Sequence, residues 1–170
     1  IRRMGRVEDV PLRQAVALPA GGYRTSVRAA VVGGRAGYRR ARAHEVVAVE
    51  TCLVAHPLIA DLLTHGRYDG AAEVTLRCGA RTGERLAWPA PVDTPVHVPA
   101  DVRSDHLHEE AAGRRWRISA PSFFQSRPDG AAVLAAAVAE AAGGLPVGRA
   151  VDLYAGVGLF AGTLADRGWS

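Results

Sequence analysis

The chain has 170 residues, 48% of them hydrophobic, a mean hydropathy of +0.01 and a formal net charge of +4. That is the profile of a globular chain with enough apolar surface for one substantial core or two small ones. No apolar run approaches membrane-spanning length and no basic-then-apolar leader opens the sequence, so a cytoplasmic protein without membrane partners is expected.

All 21 basic residues are Arg; Lys and Asn are both absent. Planar guanidinium forks suit phosphate contacts, which hints at nucleic acid. A GC-rich genome would also remove Lys and Asn together, since both use A-rich codons. The two cysteines, Cys52 and Cys78, define no disulfide framework and are expected to be reduced.

Residues 1–10 mix charges of both signs with few apolar positions and read as the tail of a helix. A Pro/Gly-punctuated connector over 11–22 follows. Residues 23–32 then alternate as a strand, with Tyr23, Thr25, Val27, Ala29 and Val31 on one face and Arg24, Ser26 and Arg28 on the other. Gly33-Gly34 is a hairpin signal, and return strands are expected over 35–42 and 45–50. The result is an antiparallel meander with an Arg-rich face. Arg24, Arg28, Arg39, Arg40 and Arg42 on that face can track an RNA backbone, or simply form the solvated side of a half-buried sheet.

After Cys52 the apolar period changes to that of a helix, with Pro57 in the first turn and Leu58, Leu62 and Leu63 on one face, ending before Gly66. Short strands are expected at 74–77 and 86–88. A loop holding four prolines covers 89–101, with an extended piece at 96–98, and a hairpin over 106–119 turns at Gly113. The six histidines are scattered; neither His97 nor His106-x-His108 has the partners a metal site needs. Residues 129–142 form the clearest helix of the chain, stopped by Gly143-Gly144. A strand over 150–154 is expected next, then Gly156-x-Gly158, then a helix from Leu159.

That last series is a strand–turn–helix signature. Glycines one residue apart let the backbone turn tightly and approach a ligand, and the helix N-terminus offers free N–H groups. An ordinary tight turn has the same pattern, and only its surroundings decide. The order strand, helix, strand, Gly-x-Gly, helix opens a parallel sheet that one strand and one helix cannot complete, so an internal fragment of a longer protein is expected.

Ser122-Phe123-Phe124-Gln125, a helix, and then Asp152-Leu153-Tyr154-Ala155-Gly156-Val157-Gly158-Leu159-Phe160 resemble the Phe-x-Gln element and cofactor motif of the RNA (uracil-C5) methyltransferase family. Gly22-Tyr23-Arg24 is similar to a strand of that family's central domain. Val49-Glu50-Thr51-Cys52-Leu53-Val54 is similar to the segment supplying the fourth cysteine of a [4Fe–4S] cluster in many members. The resemblance runs from about residue 20 onward and rests on the order and spacing of three separate elements.

The resemblance implies an α+β central domain over 1–115, an antiparallel meander plus helix with an RNA-contacting face, followed over 116–170 by the first part of an α/β class I, Rossmann-like methyltransferase domain. It implies S-adenosylmethionine as cofactor, ribosomal or transfer RNA as partner, and a monomeric parent enzyme. In the family a cysteine thiolate adds to C6 of a flipped uracil, C5 takes the methyl group, and a base removes the C5 proton. Carried over, Gln125 hydrogen-bonds the cofactor, Tyr154, Gly156 and Gly158 cup it, and Asp152 fixes the turn or the amino-acid moiety. Arg24, Arg28, Arg39 and Arg40 are the candidate RNA contacts.

The departures matter as much. The family places the ribose-binding acid, the nucleophile and the base beyond this motif, so the fragment holds no catalytic residue and is expected to be inactive alone. The N-terminal cysteine cluster is missing, and Cys52, a possible metal ligand in the parent only, cannot hold a cluster by itself. Cys78 lies before the motif and reads as a core residue. Two other readings remain open: a dinucleotide-binding oxidoreductase, against which position 161 is Ala where a third glycine is usual, and a non-catalytic RNA-binding module.

Overall fold

The computed structural model describes residues 5, 6, 8, 9 and 13–170. The helix tail expected over 1–10 lies largely outside them. The alternating segments become strands β1 (Ser26–Val32), β2 (Arg35–Arg39) and β3 (Val46–Ala48), a meander shorter at its ends than the sequence pattern suggests. Gly33 and Gly34 close its first hairpin with φ of 54° and 72°, the left-handed pair that a two-residue turn needs. Helix α1 (Pro57–His65) follows, started by Pro57 and by His56, whose ring Nδ1 accepts from the Leu58 N–H at 3.3 Å.

Strand β4 (Glu73–Cys78) returns to pair antiparallel with the free edge of β1, and β5 (Arg85–Ala90) pairs antiparallel with β4. The two-residue β6 (Val102–Arg103) adds a parallel edge, giving the order β3-β2-β1-β4-β5-β6. One face of this sheet carries Val27, Ala29, Ala36, Val74, Leu76 and Ala87, and α1 lays Ile59, Leu62 and Leu63 onto it. Each of those three side chains is at most 1% exposed and contributes about 1.5–3 kcal/mol by burial. Tyr68 closes the end of this core; its hydroxyl donates to the Leu62 carbonyl at 2.7 Å, and burial pushes its pKa up.

A second core forms around the hairpin of β7 (His106–Ala111) and β8 (Arg114–Ser119), joined at Ala112-Gly113. The division expected near residue 115 falls within this hairpin. Leu107, Trp116 and Ile118 pack with Leu86 of the sheet, with Phe124, and with two helices, α2 (Pro128–Ala142) and α3 (Leu159–Ala165). Helix α2 meets the core with an alanine stripe, Ala131, Ala135 and Ala139, which lets its backbone approach closely.

The strand expected over 150–154 does not form. Strand conformation is stabilised by pairing, and among the described residues no strand lies beside this stretch. Its backbone instead meets the segment at Ser170, the Ala150 N–H donating to the Ser170 carbonyl at 2.9 Å. Val151 and Leu153 are each 81% exposed.

Candidate functional site

The Gly-x-Gly turn is held from both sides. Gly156 and Gly158 have φ of 57° and 87°, and the Gly158 N–H donates to the Ala155 carbonyl at 2.7 Å. Gly158 then begins α3, which buries Leu159 and Thr163. Helix α3 is docked on β8: a Cβ on Gly162 would stand 2.7 Å from the Trp116 ring, and the Arg114 guanidinium pairs with Asp166 at the helix C-terminus. On the other side, a Cβ on Gly156 would lie 3.8 Å from the Phe123 carbonyl oxygen, so the Phe-x-Gln element runs past the turn.

That element is itself anchored. Phe124 is buried in the second core, and the Thr25 N–H donates to the Ser126 carbonyl at 2.8 Å. Arg127 lies over the Tyr23 ring at 4.9 Å while holding Asp129 and the Pro19 carbonyl. The start of β1 and the start of α2 are thereby tied together.

Asp152 and Tyr154 border an open groove of about 670 Å³ lined also by Phe160, Leu164 and Trp169. Asp152 Oδ1 accepts from the Tyr154 N–H at 3.3 Å, whereas Oδ2 is buried and has no hydrogen-bond partner. Tyr154 is 95% exposed. Gln125 is not brought into this groove. It borders a small crevice with Thr25, Cys78 and Leu107. The turn, Asp152 and Tyr154 thus form one constellation, and Gln125 adjoins it through Phe123.

The Arg-rich face is largely neutralised. Arg28 and Arg39 both hold Glu73, whose carboxyl is kept below the usual carboxylate range by Arg39 first and Arg28 second. Arg40 pairs with Glu45 at 3.1 Å. Arg24 is fixed by its backbone, which exchanges hydrogen bonds with Val54 and His56. Cys52 is half-buried beside Tyr38, whose hydroxyl is pushed up to about 12 by burial and by the neighbouring Cys52. Among the described residues no three His, Cys, Asp or Glu side chains are grouped to hold a metal, so the donor set around Cys52 does not fit an iron–sulfur cluster.

Sequence reasoning missed Glu109. It occupies an inward position of β7 between Leu107 and Ala111, is 1% exposed, and accepts from the backbone N–H groups of Ala80 at 2.7 Å, Arg81 at 3.1 Å and Glu110 at 2.9 Å. An acidic residue in the apolar phase of a strand was the available signal. It pins the β4–β5 turn to the hairpin. The buried Cys78 thiol is pushed up to about 12, by burial first and by Glu109 second.

The chain is of mixed α/β architecture, with a glycine turn opening a short helix beside an open groove. No family model matches it. Two curated relatives, from Streptomyces avermitilis and Streptomyces coelicolor, are both named uncharacterized RNA methyltransferase. They are 34% identical to this chain over 175 and 176 residues, covering 88% of it. The chain spans 40% and 38% of their lengths. A crystal structure of Pyrococcus abyssi tRNA (uracil-54, C5)-methyltransferase in complex with S-adenosyl-L-homocysteine matches with a TM-score of 0.65 over 89% of this chain and 48% of that one. At 18% identity that likeness is one of fold. Over most of its length the chain is thus similar to relatives named RNA methyltransferase, and its fold is like that of the Pyrococcus abyssi enzyme. No helix among the described residues is long and apolar enough to cross a membrane.

Proposed function

We propose that this chain is the middle part of an S-adenosylmethionine-dependent RNA methyltransferase that methylates C5 of a uridine in ribosomal or transfer RNA. In this reading residues 1–115 are the central domain and 116–170 begin the Rossmann-like cofactor domain. The observation that carries it is the meeting of two separated motifs: Phe123 of the Phe-x-Gln element lies against Gly156 of the turn. An unpartnered, buried Asp152 Oδ2 beside that turn supports a polar ligand there.

The cofactor supplies an electrophilic methyl group when bound. The chain's own residues bind and orient it. Gly156 and Gly158 leave the backbone open to close approach, Asp152 accepts a hydrogen bond from the ligand and Tyr154 borders it, while Gln125 stays in the adjoining crevice. Addition of a cysteine thiolate to C6 belongs to residues outside this chain in the reading adopted here, and the chain alone is inactive. The parent is a monomer.

The test joins this chain to the remaining part of the Streptomyces coelicolor relative and supplies labelled S-adenosylmethionine and RNA. Label recovered as 5-methyluridine after digestion is expected, and Asp152→Asn should lower it at least tenfold. Label in another nucleoside, or none from a folded protein that binds S-adenosylhomocysteine, overturns the reading. The oxidoreductase alternative predicts instead that a nicotinamide dinucleotide is bound.

A further inference from the structure

The face of the six-stranded sheet turned away from α1 is only partly covered. Strand register sets three rows across it: Ser26 beside Arg77, then Arg28, Thr75 and Trp88, then Ala30, Glu73 and Ala90. Ala120 and Pro121, which follow β8, wall one side and leave a cleft of about 390 Å³. Arg77 stands in this cleft in an unusual state for a guanidinium. Its Nε is buried with no hydrogen-bond partner, and its Nη1 reaches only the Ser119 carbonyl, at a long 3.4 Å. No carboxylate pairs with it among the described residues, whereas Arg28 and Arg39 nearby share Glu73.

A half-buried donor without an acceptor is a group waiting for one. Trp88 limits what the acceptor belongs to. It lies on the same floor and is half-buried, giving an aromatic surface beside the Arg77 guanidinium. A bare phosphate would leave Trp88 unused and would meet Glu73 at the rim. An apolar ligand would leave Arg77 unsatisfied. A nucleobase answers both, with a π-face for the indole and carbonyl or ring-nitrogen acceptors for the guanidinium.

We propose that the cleft between Arg77 and Trp88 binds an unpaired base of the RNA, stacked on Trp88 and accepting from Arg77. This rests on the reading of the chain as part of an RNA methyltransferase. Pro121 is followed directly by the Ser122–Gln125 segment, so a short stretch of chain links the cleft to the cofactor turn. Arg28, paired with Glu73, then serves as a rim, and the base-contacting part of the sheet is Arg77 with Trp88.

The test titrates the full 170-residue chain with short single-stranded oligoribonucleotides while following tryptophan fluorescence, without methyl donor. Quenching is expected and should disappear in Trp88→Phe. Arg77→Met and Arg77→Lys should each weaken binding about tenfold, since Lys keeps the charge but not the planar guanidinium fork, while Arg28→Ala changes mainly the salt dependence. An abasic oligomer and inorganic phosphate should not compete. Unchanged affinity in folded Arg77→Met and Trp88→Phe, or equal competition by the abasic oligomer, overturns the proposal. Should a variant fail to fold, the unmodified chain decides: photo-crosslinking with 4-thiouridine oligomers should label the peptide spanning Arg77 to Trp88, and labelling confined elsewhere overturns it. A fused protein that makes 5-methyluridine with Arg77→Met unaltered in RNA KM would remove this inference and leave the proposed function standing. Arg77-dependent binding without any methylation would do the reverse.

Discussion

Glu109 is a carboxylate side chain enclosed in the interior at 1% exposure. Three backbone N–H groups replace its water, and removing the charge leaves at least one of them unsatisfied in the interior. Glu109→Gln should therefore destabilise the fold by about 1–3 kcal/mol, read as a fall in melting temperature, whereas Glu110→Gln on the exposed side of the same strand should change little. The two thiols offer a second contrast. Burial and the neighbouring carboxylate raise the Cys78 thiol to about 12, so at neutral pH it carries almost no thiolate. A disulfide reagent should modify Cys52 alone in the folded chain and both thiols after denaturation; early modification of Cys78 would contradict the burial described. Cys78 was read as a core residue from its place before the cofactor motif, and the structure buries it at the end of β4. Glu109 was written in the sequence as an acid at an apolar position, but nothing in the sequence identifies the turn that it caps, because that turn belongs to another hairpin. Asp152, by contrast, was singled out from the motif, and its Oδ1 accepts from the Tyr154 N–H.

At the level of elements, hairpins and helices could be read because their determinants are local: Gly33-Gly34, Gly113, Pro57 and the alanine-rich run of α2 act within a few residues. Two features could not. The pairing of β1 with β4 joins segments separated by a helix, and alternation specifies a strand's faces without naming its neighbour. The segment over 150–154 has the composition of a buried parallel strand, yet a strand without a partner has nothing to hold its backbone groups. The orientation of the turn depends instead on how α3 sits on β8. Gly162→Ala would gain helix propensity of up to about 1 kcal/mol but drive a methyl group into Trp116. The clash should dominate, giving a net loss of about 1–2 kcal/mol and altered Trp116 fluorescence. A stabilised variant would mean that α3 is not seated as described.

Across the whole molecule, acid stability and surface character follow from features distributed over both cores. Arg39 and Arg28 lower the Glu73 pKa. Burial pulls Glu84 upward, but the His108 backbone and ring, with Arg103, outweigh it and leave that pKa lowered too. A depressed folded-state pKa contributes stability that is present above the unfolded value, near 4.5, and is lost as pH falls through the folded value. The melting temperature should thus be insensitive to these two groups above about pH 5 and decline below it, with a shallower decline in Glu73→Gln. The apolar groove beside Asp152 should bind a hydrophobic dye, and Leu153→Ser should reduce that signal without lowering the melting temperature, since this side chain is 81% exposed. One connection bears on both proposed sites. The stretch from Ser119 to Ser126 joins the sheet cleft to the cofactor turn and is fastened at each end, by Ala120 N–H to the Asp105 carbonyl at 2.7 Å and by Thr25 N–H to the Ser126 carbonyl at 2.8 Å. Under both proposals this stretch would act as a ruler, setting a constant number of nucleotides between a base lodged at Trp88 and a uridine at the turn. Target choice would then be metric, counted in nucleotides from an anchoring base, and two glycines inserted between Pro121 and Ser122 should shift or abolish the methylated position while oligonucleotide binding persists.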